Sequence, residues 1–122
     1  MNDLYIRFAQ LIRHDTRLSP LARLIYCDFA ELCTDGGDVM ISNTYLSKIY
    51  DVSDYAVCLA LGELKDLNIV FFETINQKVV RHRDLINRQE IIKYRVSRII
   101  HLNNNVEQVF GIKEKDLYET WE

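Results

Sequence analysis

Proline is nearly absent from these 122 residues, with Pro20 the single example, and glycine occurs only four times. A chain so poor in both is neither loop-rich nor disordered, and 48% apolar residues are ample for an ordinary core. No apolar run approaches the ~18 residues that a membrane span needs. Charges run through the opening MNDLYIRFAQLIRHD, so it has no signal-peptide core. The expectation is a single-domain cytoplasmic protein without a membrane partner.

Cysteines are few, odd in number and scattered, at Cys27, Cys33 and Cys58. They make no C-x-x-C pair and read as small buried hydrophobes in a reducing compartment. His14, His82 and His101 lack metal-ligand spacing, so no metal and no cofactor are expected. His82 and Asp84 stand one residue apart, but no nucleophile signature and no Gly-rich phosphate loop accompanies them. Neither catalytic residues nor a small-molecule substrate is expected, and the chain is read as not an enzyme.

Overall positive charge is also missing: the net is −3. Its distribution is uneven. Residues 1–75 carry −5 and residues 103–122 carry −3, whereas residues 76–102 carry +5, from Lys78, Arg81, Arg83, Arg88, Lys93, Arg95 and Arg98 against Asp84 and Glu90. One compact basic segment in an acidic chain marks a place where phosphates would be met. A solvated strand face with local ion pairs is the plainer alternative.

Along the chain, Leu4 to His14 is ambiguous between an amphipathic helix and an extended arm. Ser19-Pro20 then opens a helix, since Ser is a favoured cap and Pro a favoured first residue. Leu21, Leu24, Ile25, Phe29 and Leu32 recur at helical spacing, and Asp35-Gly36-Gly37 ends the element. Asp38 to Ile41 reads as a short strand. Ser42 caps a second helix that buries Leu46 and Ile49. After the turn Tyr50-Asp51-Val52, Ser53 caps a third, Asp54 to Leu67, with Val57, Leu61 and Leu64 on one face and Asn68 at its C-terminal cap. The period then changes from 3.6 to 2. Ile69 to Ile75 and Ile91 to Leu102 read as strands of an antiparallel hairpin, turning either near Asn76-Gln77 or, in the preferred longer form, near Ile86 to Gln89. The tail, Val106 to Trp121, has the pattern of one more helix, interrupted by Gly111.

Helix, strand, helix, turn, helix, hairpin is the order of a winged helix-turn-helix, an α+β fold with a three-helix core and a long hairpin wing in residues 1–103, the tail following in 104–122. The expected core is Leu24, Ile25, Phe29, Leu46, Ile49, Val57, Leu61 and Leu64, with Ile69, Phe71, Val96 and Ile100 from the sheet.

The motifs resemble a known family. Ser19-Pro20-Leu21-Ala22-Arg23-Leu24-Ile25-Tyr26 looks like the L-S-P-x-A-K-L-L-Y opening of the N-terminal domains of plasmid and phage replication initiators, shared by DnaD-like primosomal proteins. Ile41-Ser42-Asn43-Thr44-Tyr45-Leu46 is similar to their S-N-x-Y-L-A second helix, and Asp51-Val52-Ser53 stands where they have G-V-S. Leu61, Leu64, Leu67, Asn68 and Ile69 match the close of the recognition helix, and Arg98-Ile99-Ile100-His101-Leu102 resembles the strand after the wing. The resemblance covers roughly residues 17 to 103. It implies double-stranded DNA as partner and a role in replication initiation. A transcription regulator, or a winged helix turned to protein contact, are the alternatives.

In such a domain the second helix would offer Asn43, Thr44, Tyr45 and Lys48 to DNA, beside the basic wing residues. The third helix departs from the family's S-x-x-T-V-x-R. It reads Ser53-Asp54-Tyr55-Ala56-Val57-Cys58-Leu59, with no Lys or Arg before Lys65. It therefore lacks the commonest base contact, Arg or Lys to guanine. Asp54, Tyr55, Cys58 and Leu59 look instead like a protein-facing patch, most simply that of a symmetric homodimer, with a replication protein as the other partner. Tyr45 and Tyr55 have partial packing at the helix surface as an alternative role, and Leu59 has packing against the wing or tail.

Overall fold

Three serines start three helices, each by the same chemistry: an extended residue whose hydroxyl accepts the amide three residues on, satisfying one of the orphan donors of the first turn. Ser19 Oγ accepts from Ala22, Ser42 Oγ from Tyr45 and Ser53 Oγ from Ala56. The computed structural model describes residues 3–84 and 89–119, with the side chains of 76–97 and 118–119 outside that description. Its helices are α1 (Asp3–Ile12), α2 (Pro20–Leu32), α3 (Asn43–Tyr50), α4 (Asp54–Asp66), α5 (Val106–Phe110) and α6 (Glu114–Glu119). Its strands are β1 (Asp38–Val39), β2 (Val70–Asp84) and β3 (Gln89–Leu102), in one antiparallel sheet of order β1-β3-β2. The protein is thus α+β, with six helices and a three-stranded sheet among the described residues. No described helix is long and apolar enough to cross a membrane.

Turns fall where the backbone requires left-handed conformations. Asp51 ends α3 at φ 52° and Asn68 follows α4 at φ 60°, both short polar residues that tolerate that region. Gly37 has φ 82° and carries a further constraint: a β-carbon there would overlap the Tyr5 phenol. Asn103 is the one buried polar residue of the described core. Its Nδ2 donates to the Asn68 carbonyl (2.6 Å) and to Gln108 Oε1 (2.8 Å), and its Oδ1 accepts from the Asn105 amide (2.9 Å). The Asn103-Asn104-Asn105 loop is therefore a pinned junction between the end of α4, the sheet and α5.

The core is wider than three helices. Tyr5, Phe8, Ala9 and Ile12 bring α1 into it, resolving the ambiguous opening segment as a helix. Val106, Val109 and Leu117 lie in the same buried cluster, and Phe110 meets Phe8 edge-on at 5.1 Å. The tail, two short helices broken at Gly111, thus continues the core past residue 103.

Ile25, Phe29, Leu46, Val57, Leu61, Leu64, Ile69 and Ile100 are buried as expected; the side chain of Val96 lies outside the described residues. Three expected core residues are not buried: Leu24 is 54% exposed, Ile49 48% and Phe71 43%. Leu24 lies on the α2 face opposite the core, whose own stripe is Ala22, Ile25, Tyr26, Phe29 and Ala30. In α3 only Leu46 reaches the interior. Phe71 pairs with His101 on the outer face of the sheet, while its neighbours Val70 and Phe72 point inward. Among the cysteines, Cys27 and Cys33 are half-buried, and Cys58 is exposed rather than buried.

Candidate nucleic-acid interface

The long form of the hairpin is the one observed. β2 and β3 pair from Val70↔Leu102 out to Asp84↔Gln89, and β1 covers only the base, at Asp38↔His101 and Val39↔Ile100. Fifteen residues of β2 at ~3.3 Å each span about 50 Å. Beyond Ile99 the sheet is a two-stranded ribbon, β2 paired with β3 alone. The basic segment lies on this ribbon. Lys78 pairs with Tyr94, Gln77 with Arg95, Val79 with Lys93 and Arg83 with Glu90. The register shifts between Val80 and His82, so Arg81 is the extra residue of a bulge, a feature that sharpens strand twist. The side chains of Lys78, Arg81, Arg83, Lys93 and Arg95 lie outside the described residues, and Arg88 does so entirely.

Arg98, at the base of the ribbon, has an inward role that its charge did not reveal. Its Nη2 donates to the Ile41 carbonyl (2.8 Å), and its guanidinium lies 5.5 Å from the centre of the Phe72 ring. Burial pulls its pKa down from the usual arginine value. Arg98 thus fastens β3 to the segment leading into α3, whereas Lys78, Arg81, Arg83, Lys93 and Arg95 stand farther out along the two ribbon strands.

The two helices of the middle region present the remaining expected residues together. Asn43 at the start of α3 donates from Nδ2 to Cys58 Sγ of α4 (3.2 Å), so the two faces adjoin. Thr44, Tyr45 and Lys48 are exposed on α3. On α4, Asp54, Tyr55, Cys58 and Leu59 are all exposed, Tyr55 to 71% and Leu59 to 54%. Among the described residues, neither the hairpin nor the tail covers Leu59. The described surface offers one cation, Lys48, beside Asp54 and three large side chains of apolar character.

Two features were hidden from sequence reasoning. His101 joins all three strands: its Nδ1 lies 2.6 Å from Asp38 Oδ1 and its Nε2 2.7 Å from Glu73 Oε2. Both carboxylates hold the His101 pKa above its usual value, Glu73 first. Only strand pairing brings residues 38, 73 and 101 together, and no local pattern encodes that. The second is the uncovered face formed by Leu24, Leu32, Tyr45 and Ile49 on α2 and α3; its apolar spacing was legible, but not its exposure. Among the described residues no group of His, Cys, Asp and Glu is arranged to hold a metal ion. Searches of family models, curated proteins and solved structures returned no match to this chain.

Proposed function

We propose that this chain is a winged helix-turn-helix domain that binds double-stranded DNA through its wing and serves replication initiation in a plasmid, phage or related mobile element. The observation that carries the reading is the two-stranded ribbon, which runs on past the three-stranded base of the sheet and carries, in an otherwise acidic chain, the basic segment of residues 76–102. Lys and Arg on a projecting hairpin neutralise phosphates and release their counterions, so binding follows charge rather than sequence. The replication role rests on the motif resemblance over residues 17 to 103. On this reading the domain has no catalytic function.

A second contact is favoured by a specific observation, the exposure of Tyr55 and Leu59 on α4 next to Asp54. Pressed into a major groove, Asp54 would face phosphates and Leu59 would offer only a methyl contact to thymine. Pressed against a protein, the same side chains leave water favourably, at about 25 cal/mol per Å² of apolar area. The α4 face is accordingly assigned to a protein of the replication machinery, and DNA contact falls mainly to the wing.

Fluorescence anisotropy against duplex and single-stranded DNA at two salt concentrations tests the DNA reading. Duplex affinity should fall steeply as salt rises. Absence of duplex binding at low salt, or affinity indifferent to salt, overturns it.

A further inference from the structure

Half of the large apolar side chains that the described structure leaves exposed gather on one face: Leu24 (54%) and Leu32 (60%) of α2 with Tyr45 (51%) and Ile49 (48%) of α3. They are arranged, not scattered. Tyr50 ties the two helices together, its hydroxyl meeting the Leu24 carbonyl (3.2 Å) and, at closer range, the Asp28 carboxylate. Two depressions flank this tie. One, of about 440 Å³, lies at the N-terminal half of α2 and is edged by Arg13 and Arg23. The other, of about 220 Å³, lies toward its C-terminal end between α2 and α3, with Asp28 and Glu31 on its rim and Leu32, Tyr45 and Ile49 in its wall.

We infer that this α2–α3 face is the docking surface for a second copy of the same chain, set antiparallel across a two-fold axis passing close to Cys27. The charges decide the occupant. The stripe is basic at one end and acidic at the other, with leucine at both. A partner that was only basic would suit Glu31 and Asp28, whose carboxylate already takes the Tyr50 hydroxyl, but would also face the charges of Arg13 and of Arg23, whose Nε and Nη1 donate to the Leu18 and Arg13 carbonyls. A copy rotated by a two-fold axis lays the Arg23 end of one α2 over the Glu31 end of the other, twice, and brings the two Leu24–Leu32 stripes together. Self-complementarity of this kind is what an isologous interface requires. The exposed apolar area is on the order of 400 Å² per copy, as large as a typical monomer's largest patch. Two such faces contribute about 800 Å² of apolar area toward the ~1,200 Å² at which specific interfaces begin, before their charged rims are added. Self-association thereby belongs to α2–α3 and not to α4, and a dimer so formed leaves both α4 faces and both wings open. The inference stands independently of DNA binding.

Sedimentation equilibrium of the full chain without DNA tests it. The wild type is expected to be dimeric at about 50 μM, a concentration at which a micromolar dimer is well populated. The Leu24→Ser/Ile49→Ser variant, altered only at exposed positions, should weaken the dimer by about tenfold or more while keeping its helical circular dichroism. Glu31→Arg should weaken it through repulsion, and adding Arg23→Glu should restore it, because each copy then carries the reversed pair. Tyr55→Ser/Leu59→Ser should leave the dimer intact. A monomeric wild type, a Leu24→Ser/Ile49→Ser variant still dimeric, or dissociation by Tyr55→Ser/Leu59→Ser overturns the assignment. Dissociation by Glu31→Arg that a folded Arg23→Glu/Glu31→Arg chain does not repair overturns the two-fold arrangement.

Discussion

Glu63, in the last turns of α4, receives both the amide (2.8 Å) and the hydroxyl (2.7 Å) of Ser19, the residue that caps α2. One carboxylate thus closes the start of a helix 44 residues earlier in the chain, while the same serine oxygen accepts from Ala22. The negative charge also sits at the positive end of the α2 dipole. Glu63→Ala and Ser19→Ala should each cost about 1–2 kcal/mol, as removal of a cap or of a charged hydrogen bond does. The double variant should cost less than the two together by about 0.5 kcal/mol or more, because the pair is one interaction. Additive effects in urea unfolding would show that the pair contributes nothing.

Leu46 and Ile49 lie one helical turn apart on α3 yet differ completely in burial, Leu46 at 0% and Ile49 at 48% exposed. Leu46→Ala should cost about 2–5 kcal/mol, the range for a buried leucine. Ile49→Ala, measured in dilute solution, should cost under about 1 kcal/mol. Equal destabilisation would place Ile49 in the core after all.

Gly37 combines φ 82° with the Tyr5 phenol where a side chain would begin. Gly37→Ala should therefore destabilise by about 2 kcal/mol or more, from backbone strain and from displacement of Tyr5 out of the core. An unchanged melting temperature would mean that the turn relaxes freely.

The His101 cluster should make stability depend on pH. With both ring nitrogens facing carboxylates, the charged imidazolium is the form that donates to each. Its folded pKa is raised above the ordinary 6.5. The contribution is thus fully present below about pH 6.5 and is lost as pH rises through the folded value. Melting temperature between pH 5.5 and 8.5 should fall more in the wild type than in His101→Gln; parallel profiles would remove the linkage.

On the wing, Arg81→Ala, Arg83→Ala and Arg95→Ala should weaken binding alike for all duplex sequences. The log–log salt slope should shrink by about 1 for every phosphate that is no longer neutralised. Arg98→Ala should instead act on stability, through the Ile41 carbonyl and Phe72. A triple Arg81, Arg83 and Arg95 replacement without effect on affinity would remove the ribbon from the DNA-binding surface.

Local features could be read directly along the chain. Caps at Ser19, Ser42 and Ser53 fixed where helices begin, because a hydroxyl and an amide three residues on need nothing else. Alternation located the strands over 69–75 and 91–102 but left open how far the hairpin reaches, which pairing out to Asp84 and Gln89 decided, and the clustering of arginine and lysine marked which segment is basic. The tertiary structure decided which apolar residues are covered. Helical spacing identifies a face but not how many neighbours a helix has, so Leu24 and Ile49 read as core although α2 and α3 leave that side open. Leu4 to His14 carried no cap to settle its state; its place in the core comes from packing Tyr5, Phe8 and Ile12 against the rest. Arg98 counted as one more cation until folding set it against Phe72 and a carbonyl. Glu63 with Ser19, and His101 with Asp38 and Glu73, are partners 28 to 63 residues apart. Such meetings arise only when long-range packing brings the elements together, and no periodicity along the chain records them.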